Sequence, residues 1–447
     1  MSHILVCSVP NPGHVGPMLS VAVHLKKIGH DVTFTTSEHF SGRIESAGIS
    51  FVPFTGKANY DYRSFNGSTE HENLADQKLH LLETCFADTI PDQHEVIQQI
   101  DKETPIDLIV VDTVFFGIYP MLLGPKSRRP PVICCGVNPM FLSSRDCGYC
   151  LPPANTEEGH REITKERDRI QTTFRPVHQK MDSIMQRYAV PPMPSFFIDC
   201  LYLLPDIVLQ FTAEAFEFPR SDMPGTVRFV GPMLPAKSVE FKEPAWWNEL
   251  DGSRPVVLVT QGTLANHDLN EVIQPALTGL ADENVLVIVA AGRNDTETLT
   301  VPENARVVSF IPFDRLLPKV DVMVTNGGYG AVNHAFSLGI PIVVAGETEE
   351  KDFIAARIGW SGAGINLKAR YATPEEIRTA VGAILTDRQY RDQAERLRKS
   401  FARYNALDQL AQAVDELLTQ NGWTKSTTHP PLAWNDDSSI FRSQQFR

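Results

Sequence analysis

The sequence predicts an α/β protein built from two doubly wound domains in tandem. Short apolar runs of strand length alternate with segments of helical periodicity along most of its 447 residues. The runs are continuously apolar rather than alternating, which is typical of parallel strands buried on both faces. The series is interrupted near residue 231 and then starts again. Two domains of ordinary size account for this pattern and for the length of the chain.

The first series opens at the amino terminus. Residues 3–9 form an apolar run, residues 16–28 have helical periodicity and residues 31–36 are rich in β-branched side chains. This order predicts a strand, a helix and a second parallel strand. Further strands are predicted at residues 107–111, 131–137 and 207–211.

A change of composition separates the two series. Gly231 and Pro232 open a stretch rich in chain-breaking and charged residues, which we interpret as a linker over residues 232–254. The second series predicts strands at residues 256–260, 285–290, 307–310, 322–325 and 340–344. Helices are then predicted at residues 374–385 and 389–418, with Thr373 capping the first before Pro374. We therefore expect a first domain over residues 1–231, a second over residues 255–422 and a loose polar tail over residues 423–447.

Charge and composition exclude several functions. The net charge is -13 with acidic and basic residues interspersed, which argues against binding to nucleic acid or an anionic membrane. The first apolar run lacks a basic segment before it, and we find no apolar run of about 18 residues. We therefore expect a cytoplasmic protein without an integral membrane segment.

The seven cysteines are odd in number and irregularly spaced, so reduced thiols are expected. Cys147 and Cys150 form a C-x-x-C pair, which can mark a redox or zinc site. No second pair or histidine cluster accompanies them in the sequence, and we interpret both as loop residues.

A glycine-rich turn is the most specific feature of the second half. A predicted strand ends at Thr325, and Gly327, Gly328 and Gly330 precede a predicted helix. Glycines before a helix start let backbone amides approach an anion, and the helix dipole adds to the attraction. An acidic protein can bind a diphosphate in this way without a basic patch.

With this turn the chain resembles the UDP-sugar-dependent glycosyltransferases of secondary metabolism, which have the GT-B fold. The likeness includes Pro12-Gly13-His14 with Pro17, the segments 229–232 and 259–263, and the long signature over residues 310–352. It implies two Rossmann-like domains facing a central cleft and inverting transfer of a hexose, glucose in our expectation, from a UDP-sugar. It also implies a final helix that packs back on the first domain. We expect no metal, because no D-x-D-like carboxylate cluster accompanies the donor signature and the glycine turn can neutralise the diphosphate. We further expect no tightly bound cofactor and a monomer or weak dimer.

The resemblance assigns donor-binding roles residue by residue. An aromatic side chain at Phe310 stacks on the uracil, the backbone of Ile311 meets the base edge, and Glu350 with Lys351 contacts the sugar hydroxyls. The diphosphate is expected to lie among Gly262, Thr263, Gly328, Tyr329, Gly330 and Ala331.

Three positions depart from the usual pattern of the family. Asn326 stands where many relatives have a phosphate-contacting histidine, His334 replaces a ribose-binding glutamate, and Lys351 replaces a glutamine. The amide of Asn326 can still donate a hydrogen bond to phosphate. Because of Lys351, the identity of the sugar is less determined than that of the nucleotide.

Two polar residues follow predicted strands of the first domain. We place His14 in the loop after the first strand, where doubly wound sheets open their ligand crevice, and Asp112 at the end of another strand. Imidazole titrates near neutral pH and can remove the proton of an acceptor hydroxyl. We therefore expect His14 to be the general base and Asp112 to orient its ring.

The acceptor pocket is expected in variable loops of the first domain. Phe115, Phe116, Met140, Phe141 and residues between 59 and 82 are candidates, with ordinary core packing as the alternative. Their apolar character favours a small lipophilic or phenolic acceptor.

Three other functions compete with transfer. A dinucleotide-dependent oxidoreductase is disfavoured because neither glycine turn has the G-x-G-x-x-G spacing. A sugar-nucleotide-binding protein with degenerate catalysis and a sugar-nucleotide epimerase of the same architecture remain open.

Overall fold

The computed structural model describes residues 1–65, 74–235, 241–262, 268–292, 296–348 and 350–420. Within these residues two parallel sheets form, one from each half of the chain. The first sheet has the order β3-β2-β1-β4-β5-β6-β7. Its strands are β1 (His3–Cys7), β2 (Asp31–Thr36), β3 (Ser50–Pro53), β4 (Leu108–Asp112), β5 (Val132–Gly136), β6 (Ile207–Gln210) and β7 (Val227–Phe229).

The second sheet has the order β10-β9-β8-β11-β12-β13. Its strands are β8 (Val256–Thr260), β9 (Leu286–Ala290), β10 (Ala305–Val308), β11 (Val322–Thr325), β12 (Ile342–Val344) and β13 (Gly364–Asn366).

Helices lie between most of the strands and after the last one, β13. In chain order they are α1 (Pro12–Lys27), α2 (Ser41–Ser46), α3 (Leu74–Leu81), α4 (Ile90–Glu103), α5 (Tyr119–Leu123), α6 (Glu157–Thr173), α7 (Arg175–Arg187), α8 (Cys200–Leu203), α9 (Ile273–Gly279), α10 (Phe313–Leu316), α11 (Tyr329–Ser337), α12 (Lys351–Ser361), α13 (Pro374–Thr386), α14 (Arg388–Phe401) and α15 (Ala406–Gln420). No helix in the part of the chain that the structure describes has both the length and the apolar character needed to cross a bilayer.

Both faces of the first sheet are buried, as continuous apolar strands require. On β1, Leu5 and Cys7 belong to one hydrophobic cluster, whereas Ile4 and Val6 belong to another. Side chains alternate across a strand, so these two clusters are the layers above and below the sheet. The prediction of an α/β protein with parallel sheets is confirmed.

Three strands and two helix boundaries differ from those predicted from the sequence. Strands β3, β7 and β13 lie at sheet edges and are short and partly exposed, so they lack a long apolar run. The predicted helix at 389–418 is two helices, α14 and α15. The first helix begins at Pro12 rather than residue 16, because Asn11 caps it and Pro12 occupies its first position.

The cap of α13 and the packing of the final helix agree with expectation. Thr373 and Glu376 form a reciprocal capping box at the start of α13. Leu410 and Val414 of α15 pack into the same cluster as Val15 of α1, so the final helix lies against the first sheet. The residues after 420, including the predicted tail, lie outside the described part of the chain.

The chain crosses between the sheets next to Gly231. This residue has φ of 81°, and a side chain there would collide with Tyr404, which lies between α14 and α15. The segment that leaves the first sheet at Gly231 therefore contacts the segment between α14 and α15, and only glycine fits at this position. We keep as a proposal the division into a first domain to residue 231, a linker over 232–254 and a second domain from residue 255. Residues 236–240 of that linker lie outside the described residues.

Each sheet has one point at which the strand order reverses. In the first sheet this point lies between β1 and β4, and in the second between β8 and β11. Parallel sheets of this kind open a crevice at the carboxyl ends of such strands. The topology therefore selects the loops after these four strands as candidate ligand sites.

Candidate active site

His14 and Asp112 meet at the strand-order reversal of the first sheet. Asp112 is the last residue of β4, and His14 lies in the first turn of α1, which follows β1. The Nδ1 atom of His14 is 3.4 Å from Oδ2 of Asp112. The prediction that His14 lies in a loop is wrong, because the cap at Asn11 starts the helix three residues earlier. The helix fixes the position of the ring more firmly than a loop would.

The carboxylate of Asp112 is fully buried and held by three donors. The backbone N–H of Val9 and the hydroxyl of Ser8 donate to Oδ2 at 2.9 and 3.0 Å, and the N–H of Val114 donates to Oδ1 at 2.9 Å. Ser8 and Val9 follow β1, so the carboxylate ties the ends of β1 and β4 together. Asp112 therefore has a structural role besides its contact with His14.

Asn138 faces the other ring nitrogen of His14. It follows β5, the neighbour of β4, and its Nδ2 lies 3.5 Å from Nε2 of His14. This contact is compatible with a lone pair on Nε2 and a ring hydrogen on Nδ1, facing Asp112. This tautomer is the one a base acting through Nε2 needs. Asn138 is not among the predicted site residues, although its position after a buried strand resembles the signal that selected Asp112.

The glycine turn of the second sheet presents backbone amides at the start of α11. Gly327 has φ of 98°, and Gly328 is the cap residue before Tyr329. No atom lies within 4 Å of where a side chain on Gly328 or Gly330 would begin, so both backbones are accessible. Free N–H groups at a helix start attract anions. The diphosphate site at this turn stays a prediction.

Two side chains near this turn point away from it. Tyr329 is buried, its hydroxyl accepts a hydrogen bond from Nε2 of Gln210 at 3.2 Å, and burial raises its pKa. The amide of Asn326 donates to the carbonyl of Gln261 at 2.8 Å. Tyr329 can therefore offer a phosphate only its backbone, and Asn326 connects the loops after β8 and β11. The amide that is expected to donate a hydrogen bond to phosphate already donates one to Gln261.

The remaining donor candidates differ in their exposure. Phe310 is 79% exposed, so it is not a core residue, whereas Ile311 is buried beside it. His334 is buried in α11 and lies 6.5 Å from the ring of Phe313. Burial lowers the pKa of His334, and the carboxylate of Asp314 opposes that shift.

Glu350 caps α12 and Lys351 begins it, with Lys351 buried. Gly262 ends the described part of the loop after β8 with φ of 72°, and Ala331 lies in the first turn of α11. Thr263 lies outside the described residues.

All four of the named acceptor candidates are core residues. Phe115, Phe116 and Met140 are at most 1% exposed and belong to the cluster on one face of the first sheet. The alternative of ordinary core packing therefore holds for them. Phe141 is 8% exposed, belongs to the same cluster and also contacts the second domain, with its ring 5.4 Å from that of Phe353. In the range 59–82, residues 66–73 lie outside the described part of the chain.

The C-x-x-C pair lies in a loop that a carboxylate holds. The backbone N–H groups of Tyr149 and Cys150 donate to Glu166 at 2.8 and 3.0 Å. Burial raises the pKa of both Cys147 and Cys150, so neither is an activated thiolate. Among the described residues no group of three or more histidine, cysteine, aspartate or glutamate side chains is placed to hold a metal ion.

Solved structures with the same arrangement define the fold class. A calicheamicin glycosyltransferase, CalG4, covers 95% of this chain and 99% of its own with a TM-score of 0.71 at 22% identity. The glycosyltransferase of kitacinnamycin covers 93% of this chain and 98% of its own with a TM-score of 0.70 at 18% identity. The chain therefore has the GT-B fold.

Proteins of similar sequence show the family to which the chain belongs. Residues 12–89 match the glycosyltransferase family 28 N-terminal domain, and residues 274–417 match the erythromycin biosynthesis protein CIII-like C-terminal domain. The chain is 37% identical to 4'-demethylrebeccamycin synthase of Lentzea aerocolonigenes over 93% of this chain and 98% of that one. It is 32% identical to UDP-glycosyltransferase 2 of Phaeomoniella chlamydospora over 93% and 95%, and 31% identical to UDP-glucosyltransferase B1 of Starmerella bombicola over 93% and 98%. The chain belongs to the UDP-glycosyltransferase family of natural-product pathways in fungi and bacteria.

Proposed function

We propose that this enzyme transfers a hexose, glucose by preference, from a UDP-sugar to a hydroxyl of a small lipophilic or phenolic acceptor. Two of the similar proteins, from Starmerella bombicola and Phaeomoniella chlamydospora, are a UDP-glucosyltransferase and a UDP-glycosyltransferase. The observation that carries the proposal is the His14–Asp112 contact at one strand-order reversal, with an accessible glycine turn at the other.

The proposed reaction is a single displacement with inversion at the anomeric carbon. Nε2 of His14 takes the acceptor proton while the acceptor oxygen forms its bond to that carbon. The bond to the diphosphate oxygen breaks, and UDP leaves with the electron pair. Asp112, 3.4 Å from Nδ1, stabilises the imidazolium that forms.

The donor is proposed to bind along the second sheet. The exposed ring of Phe310 stacks on uracil, and the backbone of the buried Ile311 meets the base edge. The amides of Gly328, Tyr329, Gly330 and Ala331 at the start of α11 hold the leaving diphosphate. Asn326, His334, Gly262 and Thr263 complete the nucleotide site, and Glu350 with Lys351 at the start of α12 meets the sugar.

A screen of donors against acceptors tests the proposal. UDP-glucose, UDP-galactose and UDP-N-acetylglucosamine are each incubated with a phenol and with a hydroxylated aliphatic compound, and products are analysed by mass spectrometry. We expect one hexosyl addition to the acceptor from UDP-glucose. Donor binding without any product on either acceptor class indicates a binding protein, and interconversion of the UDP-sugars without transfer indicates an epimerase.

A further inference from the structure

Helix α12 contacts both domains. Its residues Ile354 and Ile358 pack in the core of the second domain. On its other side, Asp352 forms an ion pair with Lys78 of α3 at 3.2 Å, and the ring of Phe353 packs against Phe141 of the first domain. The helix that begins with the proposed sugar-contacting residues is therefore attached to the first domain as well as to its own.

Arg357 makes the most extensive of these attachments. It is fully buried, and its Nε donates to Oε2 of Glu217 at 2.7 Å. Its Nη1 atom donates to the carbonyls of Tyr149 and Phe353 at 3.2 and 2.9 Å, and Nη2 donates to the carbonyl of Met140 at 3.0 Å. The bond to Phe353 lies within α12, and the other three hydrogen bonds from this guanidinium fix α12 against the loops after β5 and β6.

Glu217 is equally constrained. Its second oxygen accepts a hydrogen bond from the N–H of Met140 at 2.9 Å, and Arg220 lies 3.7 Å from Oε2. The guanidinium carbon of Arg357 also lies 4.6 Å from the centre of the Phe218 ring. A planar, forked cation satisfies this set of partners, whereas a lysine ammonium in its place does not.

Two more residues of the same segment contact α11. Gln210 donates to the hydroxyl of Tyr329 at 3.2 Å, and the hydroxyl of Thr212 donates to Oδ1 of Asn333 at 2.7 Å. Residues 210–217 begin at the end of β6 and lie in the first domain. We call them the docking segment, since they contact both helices that carry the proposed donor site.

Buried ion pairs add little net stability, because the cost of removing both charges from water offsets their attraction. What such a pair does supply is a defined geometry. We propose that the docking segment sets the positions of α11 and α12 relative to His14, with Arg357 and Glu217 as positioning residues for sugar transfer. This inference rests on the proposed function, in which the sugar bound at α12 must face the acceptor oxygen held by His14.

Replacing Arg357 by lysine, and separately Glu217 by glutamine, tests the inference. A displacement of about 1 Å can lower a rate about 100-fold, so we expect kcat to fall about 10- to 100-fold in both variants. The affinity for UDP should change by less than about two-fold, since its proposed contacts lie within the second domain. If Arg357 and Glu217 had a purely structural role, their replacement would lower the unfolding temperature but would not lower kcat selectively while leaving the affinity for UDP unchanged.

Arg129 provides a matched control. It forms a similarly buried ion pair with Asp206 at 2.7 Å, but both residues lie within the first domain at the starts of β5 and β6. Arg129→Lys should lower stability and leave kcat unchanged. An equal fall of kcat in Arg129→Lys and Arg357→Lys would overturn the inference, as would wild-type kcat in folded Arg357→Lys.

Hydrogen exchange supplies a readout that does not depend on activity. Amides of residues 351–358 should exchange faster in Arg357→Lys than in the wild type, and those of β1 should not. Unchanged exchange at residues 351–358 would contradict the positioning role of the docking segment, whatever the activity of the enzyme. Absence of hexose transfer by the wild type would reject the proposed function and would leave this exchange test valid. If the Arg357 and Glu217 variants do not fold, Thr212→Val removes one hydrogen bond of the docking segment and should lower kcat about 2- to 10-fold. Unchanged kcat in that variant would overturn the inference.

Discussion

Removal of the Asp112 carboxylate should destabilise the first domain as well as slow transfer. Asp112→Ala deprives the N–H groups of Val9 and Val114 and the hydroxyl of Ser8 of their acceptor. The hydroxyl of Ser8 also donates to the carbonyl of Val9 at 3.1 Å and keeps that bond. Two backbone N–H groups then lose their acceptor, and each costs about 1–3 kcal/mol when left unsatisfied. Their sum is about 2–6 kcal/mol, a large part of the stability of an ordinary domain.

Urea denaturation of wild type, Asp112→Ala and Asp112→Asn measures this cost. The asparagine variant retains one acceptor oxygen and the shape of the side chain, so it should lose less stability than the alanine variant. It should nevertheless lose turnover, because it lacks the charge that stabilises the His14 imidazolium. The double variant His14→Ala with Asp112→Asn should lose less than the product of the two single losses. If the unfolding free energy of Asp112→Ala lies within about 0.5 kcal/mol of the wild-type value, the hydrogen bonds to the Asp112 carboxylate do not stabilise the domain as argued.

Three further predictions concern the stacking of Phe310 on uracil, the stability of the protein in acid, and the metal dependence of transfer. Phe310→Ala should weaken UDP binding by about 1–3 kcal/mol in calorimetry with an unchanged unfolding temperature, because the side chain is exposed; unchanged affinity would reject the stacking role. Burial lowers the pKa of His94 to about 4, so the folded state resists protonation of this ring while the unfolded state binds a proton near pH 6.5. Stability should therefore fall as the pH falls from about 6.5 to 4, by on the order of 3 kcal/mol from this residue, and His94→Gln should flatten that dependence in denaturation curves. Transfer should survive a chelator, since the backbone amides of the accessible glycine turn at the start of α11 can stabilise the charge of the diphosphate; loss in EDTA that Mg²⁺ restores would show that the phosphate site has been misinterpreted.

One physical reason made both the fold and the contact between His14 and Asp112 predictable. Continuous apolar strands must be parallel and buried, and the carboxyl ends of parallel strands lie at one edge of the sheet. Asp112 at the end of β4 and His14 in the helix that follows β1 therefore come together although 98 positions separate them. The same logic applies to Asn138, which sequence analysis missed. The capping signal at Asn11 and Pro12 was also present in the sequence.

Other features could not be predicted from local pattern. The bond between Arg357 and Glu217 joins residues 140 positions apart in different domains, and nothing in either neighbourhood indicates the other. The inward side chain of Tyr329 depends on Gln210, which is also distant in the sequence. Phe115 and Phe116 were equally compatible with a pocket and a core, because both environments select apolar side chains.

The rate of transfer by His14→Ala, with UDP-glucose and an aliphatic alcohol, tests the central proposal most directly. Removal of a positioned base typically lowers turnover about 10²- to 10⁴-fold, and we predict a loss of that order. The affinity for UDP should remain at the wild-type value in calorimetry, because the proposed nucleotide contacts lie on the second sheet. Strongly acidic phenols need less help from a base and should retain measurable transfer. Near wild-type turnover of the aliphatic alcohol by a folded His14→Ala protein would contradict the account.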